Sequence, residues 1–568
     1  MVEIQFLLVK PAPGTESRRA QELRDSAARS HAARITHNRA KQQRKKKSRE
    51  EEVDEGEGFD CSCCHRASSI TTKDSNAISR WIHTHSSDAV FHRPSEWGHG
   101  HNDRPQVGHA HGDGVQDQRY LWAILGQGRQ DPFGSYAGSN LPCRLLAVLE
   151  DAYEVVWPKM VQSEDNQLAV TKNSWRQAAV QYPFLFHCQV MGAAGAALSI
   201  CQDETAVKYL SLKRLEHQMT AVKLIREELQ SINNGRSEPS DELIMAILNL
   251  VTSSGDVNEP PGEEVHPKSP LAQAQPVGRV KLNDTHLQAV HMLIKRKGGL
   301  QGLKSYALAY MVEVVDIYVS TLKGSRPLYP WMHGSQDLVA KGKCIPDQHA
   351  KGLSKVLGSG LTLLASIDVK VHRLYLEACE VTIALDQYHR GAEGHPALSD
   401  LVDARNKTQH GFCSLAAATD SETDSFEALY ELCRIAGLIF CDMVILPLPY
   451  SSGVKPRLAR RLRAVLEAPS LRIFWKSAVY GDLLTWVVFM GTIAATFTKA
   501  RGWYLQQLRG LVDDRQLDWD GFKKLMKTFL WWDFTFEVPA ARIWKDINAL
   551  TYESSVPCRA STTLNQKT

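Results

Sequence analysis

LKRLEHQMTAVKLIREELQSINNG, residues 212–235, decides the fold class. Leu212, Leu215, Met219, Val222, Ile225 and Leu229 recur at spacings of three and four, which predicts one amphipathic helix with a continuous apolar face. Asn233-Asn234-Gly235 then supplies a helix stop, because glycine and asparagine accept the left-handed backbone that closes a last turn. Strand-like alternation is sustained nowhere in the chain. The expected class is all-α.

The pattern continues on the C-terminal side. Ser240 can cap a helix over Leu243–Val251, with Asp241 and Glu242 at its positive end. Residues 253–283 are rich in Pro and Gly and read as a surface-loop insert, unusually long for a compact domain. A helix over Asp284–Lys297 ends at Gly298-Gly299. Its cations Lys295, Arg296 and Lys297 oppose the negative end of the helix dipole, which explains them better than a DNA patch does. Further helices are expected at Gly360–Leu385, Asp424–Ile445, Pro456–Glu467, Leu471–Thr498 and Trp519–Trp532. The apolar run Leu483–Phe497 falls short of the roughly twenty residues of a membrane span and reads as a buried core helix.

The N-terminal side is different. Residues 29–49, RSHAARITHNRAKQQRKKKSR, hold many Lys and Arg and no acid, and arginine recurs at positions 24, 29, 34, 39, 44 and 49. Five residues turn a helix by roughly 140°, so these charges wind around it and bury no face. An acidic run, Glu50–Glu55, follows and masks the asymmetry in a formal net charge of +4. The expected organisation is a basic-then-acidic arm at 1–60, a His/Gly/Ser-rich linker at 61–119, a helical domain at 120–552 and a tail at 553–568. Arm, linker and tail are expected to be disordered. The N-terminus carries no signal-peptide pattern, and the cysteines fall at irregular spacings inside apolar patterns, which suits free thiols in a reducing compartment.

Chemical motifs are sparse. Cys61, Cys63, Cys64 and His65 lack the second ligand pair that a tetrahedral zinc site needs, so no metal is expected there. Only three cysteines precede residue 140, too few for a six-cysteine binuclear zinc cluster. His37–Arg44 has Asn, Arg and Ala in a basic-region order, but no leucine heptad follows. No nucleophile elbow, phosphate loop, dinucleotide fingerprint or His-Glu-x-x-His occurs, and no cofactor or enzymatic activity is expected. Arg39, Arg44, Lys45, Lys46 and Lys47 are the candidate residues for nuclear import and for phosphate contact. Trp531, Trp532 and Trp544 are candidates for a ligand pocket, although aromatics this dense near a C-terminus more often close a core.

Several blocks in order carry a resemblance: QFLLVKPAPG (5–14), RSHAARITHNRAKQQRKKK (29–47), Asp131-Pro132-Phe133, THLQAVHMLIKRKGGLQGL (285–303), LCRIAGLIFCDMVILPLP (432–449), LLTWVVFMGTIAA (483–495) and FLWWDFTFEVPAARIW (529–544). Together they resemble fungal transcription-regulator-like proteins with the fungal-specific transcription factor helical domain, in the branch lacking a zinc cluster. The resemblance implies a nuclear regulator, a helical body for regulation or partner contact, and no catalytic residues. Control of a metabolic gene cluster is a common role in that family. The partners it implies are DNA through the basic arm, an import receptor and other transcription proteins, with no membrane. A helical interaction scaffold that never touches DNA, and a small-molecule sensor or enzyme, are the alternatives.

Overall fold

The computed structural model describes residues 141–157, 165–198, 201, 203–253, 269–271, 282–305, 307–332, 337–418, 425–475, 477 and 479–555. Arg39, Arg44 and Lys45–Lys47, the Cys61–His65 cluster, Asp131-Pro132-Phe133, the onset of order near Tyr120 and most of the 253–283 insert lie outside the described residues. The described residues form helices and no strands, so the chain is all-α.

The helices are α1 (Cys143–Asp151), α2 (Asp165–Gln181), α3 (Pro183–Leu198), α4 (Glu204–Asn233), α5 (Asp241–Ser253), α6 (Asp284–Arg296), α7 (Leu308–Lys323), α8 (Gln348–Val356) and α9 (Leu364–Ile367). They continue as α10 (Val369–His389), α11 (Leu398–Ser414), α12 (Ser425–Phe440), α13 (Val454–Leu466), α14 (Arg472–Trp475), α15 (Gly481–Ala494), α16 (Arg501–Asp514), α17 (Trp519–Thr528) and α18 (Asp533–Ser555).

Two apolar helices organise the packing. Helix α3 carries Gly192, Ala193, Ala194 and Gly195 in its buried stretch, and these small side chains let α1, α2, α4 and α5 approach it closely. Every residue of α15 but Asp482 is buried, and α12, α13, α16 and α17 pack around it. The run Leu483–Phe497 is thus a core helix that ends early, with Phe497 exposed. Helix α7 connects the two groups by packing on α5, α11 and α13, and one continuous apolar core runs through both.

Helix starts follow their caps. Asp203, Asp347, Asp368 and Asp518 each accept a hydrogen bond from the backbone N–H three residues on, at 2.7–2.8 Å. Ser240 caps α5 through Leu243 N at 3.1 Å, as its position predicts. The cap at Asp368 also corrects an expectation. The helix expected over Gly360–Leu385 is split, because Asp368 takes an extended backbone between α9 and α10. The helix expected over Leu471–Thr498 is likewise broken into α14 and α15, and α17 stops before Phe529.

Helix α4 is longer than its sequence pattern suggests, at 30 residues, and its apolar face is only partly used. Ile225 and Leu229 are buried, but Leu212, Leu215 and Met219 are exposed. The other buried positions of the helix are Ala206, Leu210, Ala221 and Ile232. The 253–283 insert, expected at the surface, is anchored in part: Leu271 is fully buried and its carbonyl accepts from Arg405 Nη1 at 3.3 Å. Asn283 N reaches Val251 O at 3.5 Å, so the insert leaves and returns at one place.

Candidate functional site

The sequence of α13, VKPRLARRLRAVL, holds five cations and no acid. Leu458, Ala459, Leu462, Val465 and Leu466 fix its buried face, Lys455 is buried too, and the four arginines project from the remaining directions. Their partners differ. Lys455 is buried against Asp442 at 3.1 Å and donates to Leu448 O at 2.7 Å, while burial pushes the Asp442 carboxyl above its ordinary range. Arg463 pairs with Glu467 at 2.9 Å and lies over the Trp503 ring.

Arg457 and Arg461 face a cavity of about 220 Å³ formed where α13 meets the end of α7, the end of α11 and the middle of α12. The Arg457 guanidinium donates to Thr321 O at 2.7 Å and to Leu322 O, satisfying carbonyls that the last turn of α7 leaves open. Gly324 follows in the left-handed conformation with φ +68°, and a Cβ there would meet Arg457 Nε at 3.3 Å. The positive φ favours glycine here.

Across the cavity, Arg434 donates to both oxygens of Glu431 at 2.7 Å, and Arg461 reaches the same carboxylate at 2.9 Å. Lys323 on the rim pairs with Asp284. Arg326, also on the wall, makes no ion pair or hydrogen bond among the described residues. Five cations therefore line the space, against two carboxylates that pair with them from outside it.

The inner wall is polar and uncharged. Thr321 donates to Ile317 O at 2.8 Å and accepts from Gln409 Nε2 at 2.9 Å. Cys413 is buried beside them and burial raises its thiol, which keeps it protonated and inert at neutral pH. Ser320 is 1% exposed, and its Oγ has no hydrogen-bond partner.

The tryptophans expected to be pocket candidates sit elsewhere. Trp531 and Trp532 are each 2% exposed. Their indole N–H groups donate to Asp533 at 2.6 Å and Asp386 at 3.1 Å. Trp531 stacks on Phe489 at 5.8 Å, and Trp544 packs on Trp519 and Phe522 at 5.6 and 5.3 Å. These rings close the core around α15, and none of the three tryptophans lines the cavity beside α13.

Sequence reading passed over that cavity, because its walls come from segments more than a hundred residues apart. The one local signal was the acid-free arginine cluster of α13. Lys297, assigned to a helix end, stands just past α6, but its ammonium turns to the start of α5, pairing with Asp241 at 2.7 Å and donating to Pro239 O at 3.0 Å. Among the described residues no group of three or more His, Cys, Asp or Glu could hold a metal ion, and no helix is long and apolar enough to cross a membrane. No family model, curated protein or solved structure matches the chain.

Proposed function

We propose that the chain is a nuclear transcription-regulator-like protein, in which a basic N-terminal arm supplies import and sequence-blind contact with DNA phosphates, and the helical body regulates. The observation that carries the reading is the pairing of two unlike parts: an acid-free basic run at 29–49 and an all-α body. Phosphate contact by Lys and Arg needs no prepared surface, only charge and reach. Control of a metabolic gene cluster is part of this proposal and rests on the resemblance alone.

The test is a variant in which Arg39, Arg44, Lys45, Lys46 and Lys47 are all replaced by Ala. Because the substitutions are confined to the arm, the helical signal and melting behaviour of the body should not change. A fluorescent fusion should lose its nuclear accumulation. Full nuclear retention by the folded variant would remove the import role.

The rival reading is an interaction scaffold that works without DNA. Leu212, Leu215 and Met219 favour it, since three large apolar side chains stand exposed on one helix. Salt-sensitive duplex binding that disappears in the same five-residue variant would reject it.

A further inference from the structure

We propose that the cavity beside α13 is a binding site for a small dianionic molecule bearing phosphate or carboxylate groups. The inference is independent of what the N-terminal arm does.

Room comes first. An engineered cavity of about 150 Å³ accepts benzene, and the space here is about 220 Å³. That is enough for a multi-atom solute rather than a single water. Charge comes second. Arg434, Arg457 and Arg461 are already positioned by Glu431 and by the α7 carbonyls, so their guanidinium planes are held before any ligand arrives. An anion would meet fixed dipoles and lose little to reorganisation, which is the usual source of affinity at such sites. Lys323 and Arg326 extend the positive lining to the mouth.

The third observation is chemical and separate from charge. Ser320 is 1% exposed and its Oγ has no partner, although a buried hydroxyl without a hydrogen bond costs stability. Most such groups are satisfied. An anion's oxygen in the cavity would accept from this hydroxyl and remove the penalty, so Ser320 contributes a neutral donor at the inner wall. Cys413 offers no competing chemistry, since burial holds its thiol protonated. Arg326, with no ion pair or hydrogen bond among the described residues, is the cation free to close on the ligand.

Calorimetric titration of the full-length protein with inorganic phosphate, with succinate and with neutral succinamide tests the site. Saturable binding of phosphate or succinate, with none of succinamide, is expected, and the preferred dianion identifies the ligand class. Arg326→Ala should weaken that binding at least tenfold, about 1.4 kcal/mol, and Arg326→Lys should recover part of the loss. Ser320→Ala should also weaken it, while leaving the melting temperature of the free protein equal or higher because a buried unpaired hydroxyl is gone. The basic arm is intact in all three variants, so anion uptake that does not change in Arg326→Ala and Ser320→Ala would come from the arm and overturn the proposal. Absence of saturable binding to either dianion would overturn it too.

Discussion

Arg457 of α13 holds the carbonyl oxygen of Thr321 at 2.7 Å, so the end of α7 is closed by a side chain from 136 residues further along the chain. The same guanidinium forms part of the cavity wall. Fold and candidate site therefore share a residue, and the effect of changing it is predictable. Hydrogen bonds from a charged donor contribute about 1.5–3 kcal/mol each, and Arg457→Ala removes two of them from a half-buried position. Urea unfolding should show a loss of about 2–4 kcal/mol, with Arg457→Lys intermediate because one ammonium cannot span both carbonyls as a planar fork does.

Gly491 and Tyr504 set the approach of α15 and α16. A Cβ at Gly491 would lie 2.2 Å from Tyr504 Cε1, and the Tyr504 hydroxyl is itself tied to Ala459 O at 2.6 Å. Alanine is ordinarily the better helix former by about 1 kcal/mol. Here Gly491→Ala should instead destabilise by about 1–3 kcal/mol through overpacking. A melting temperature above that of the parent protein would show that the two helices can part without cost.

Trp532 should behave as a core residue. Trp532→Ala is expected to cost about 3–5 kcal/mol, read by chemical denaturation, and to leave dianion binding unaltered under conditions where the variant remains folded. Selective loss of binding in a folded variant would instead return the aromatic cluster to the list of ligand sites.

Acid should loosen the contact between α3 and α4. His187 Nδ1 and His217 Nδ1 lie 2.9 Å apart. Burial, then the neighbouring imidazole, pushes His217 down to about 4 from 6.5, and burial lowers His187 as well. A depressed histidine value means that the folded state binds fewer protons than the unfolded state, so stability present above 6.5 is lost as the pH falls through 4. Glu216 and Lys213 also act on His217, in opposite directions. His217→Gln should flatten the fall in melting temperature between pH 6.5 and pH 4. A slope equal to that of the parent would place the acid sensitivity elsewhere.

The exposed stripe of α4 makes the contrasting case. Leu215→Lys should change stability by no more than about 0.5 kcal/mol, whereas Leu229→Ala should cost about 2–5 kcal/mol. Equal losses would mean that Leu215 is covered.

These contrasts show how far the sequence could be read. Local signals reported local structure well: Ser240, the Asn233–Gly235 stop and the Gly298-Gly299 end of α6 all serve as the residues suggest. The periodicity of α4 announced a helix but not which part of its stripe would be buried, because that depends on which elements pack along each turn. Helix α11 was missed for a different reason. Its buried face includes Asp403, Arg405, Asn406 and Gln409, so it shows no apolar period. Asn406 Nδ2 instead meets Tyr310 OH at 2.9 Å, and Arg405 grips Leu271, partners no local pattern can name. Helix α18 contains Pro539, which argues against a helix from sequence alone. The cavity was hidden for the same reason as α11: Ser320, Cys413, Arg434 and Arg457 converge only after folding.

The most direct test of the regulatory account is duplex-DNA binding by the full-length protein and by the variant with Arg39, Arg44, Lys45, Lys46 and Lys47 replaced by Ala, each titrated across salt. Sequence-blind binding that falls steeply with salt is predicted for the parent. Loss of five phosphate contacts should flatten the slope of log K against log salt by about 4.5. Equal slopes for the two proteins, or no binding by the parent even at low salt, would contradict an arm that works on DNA.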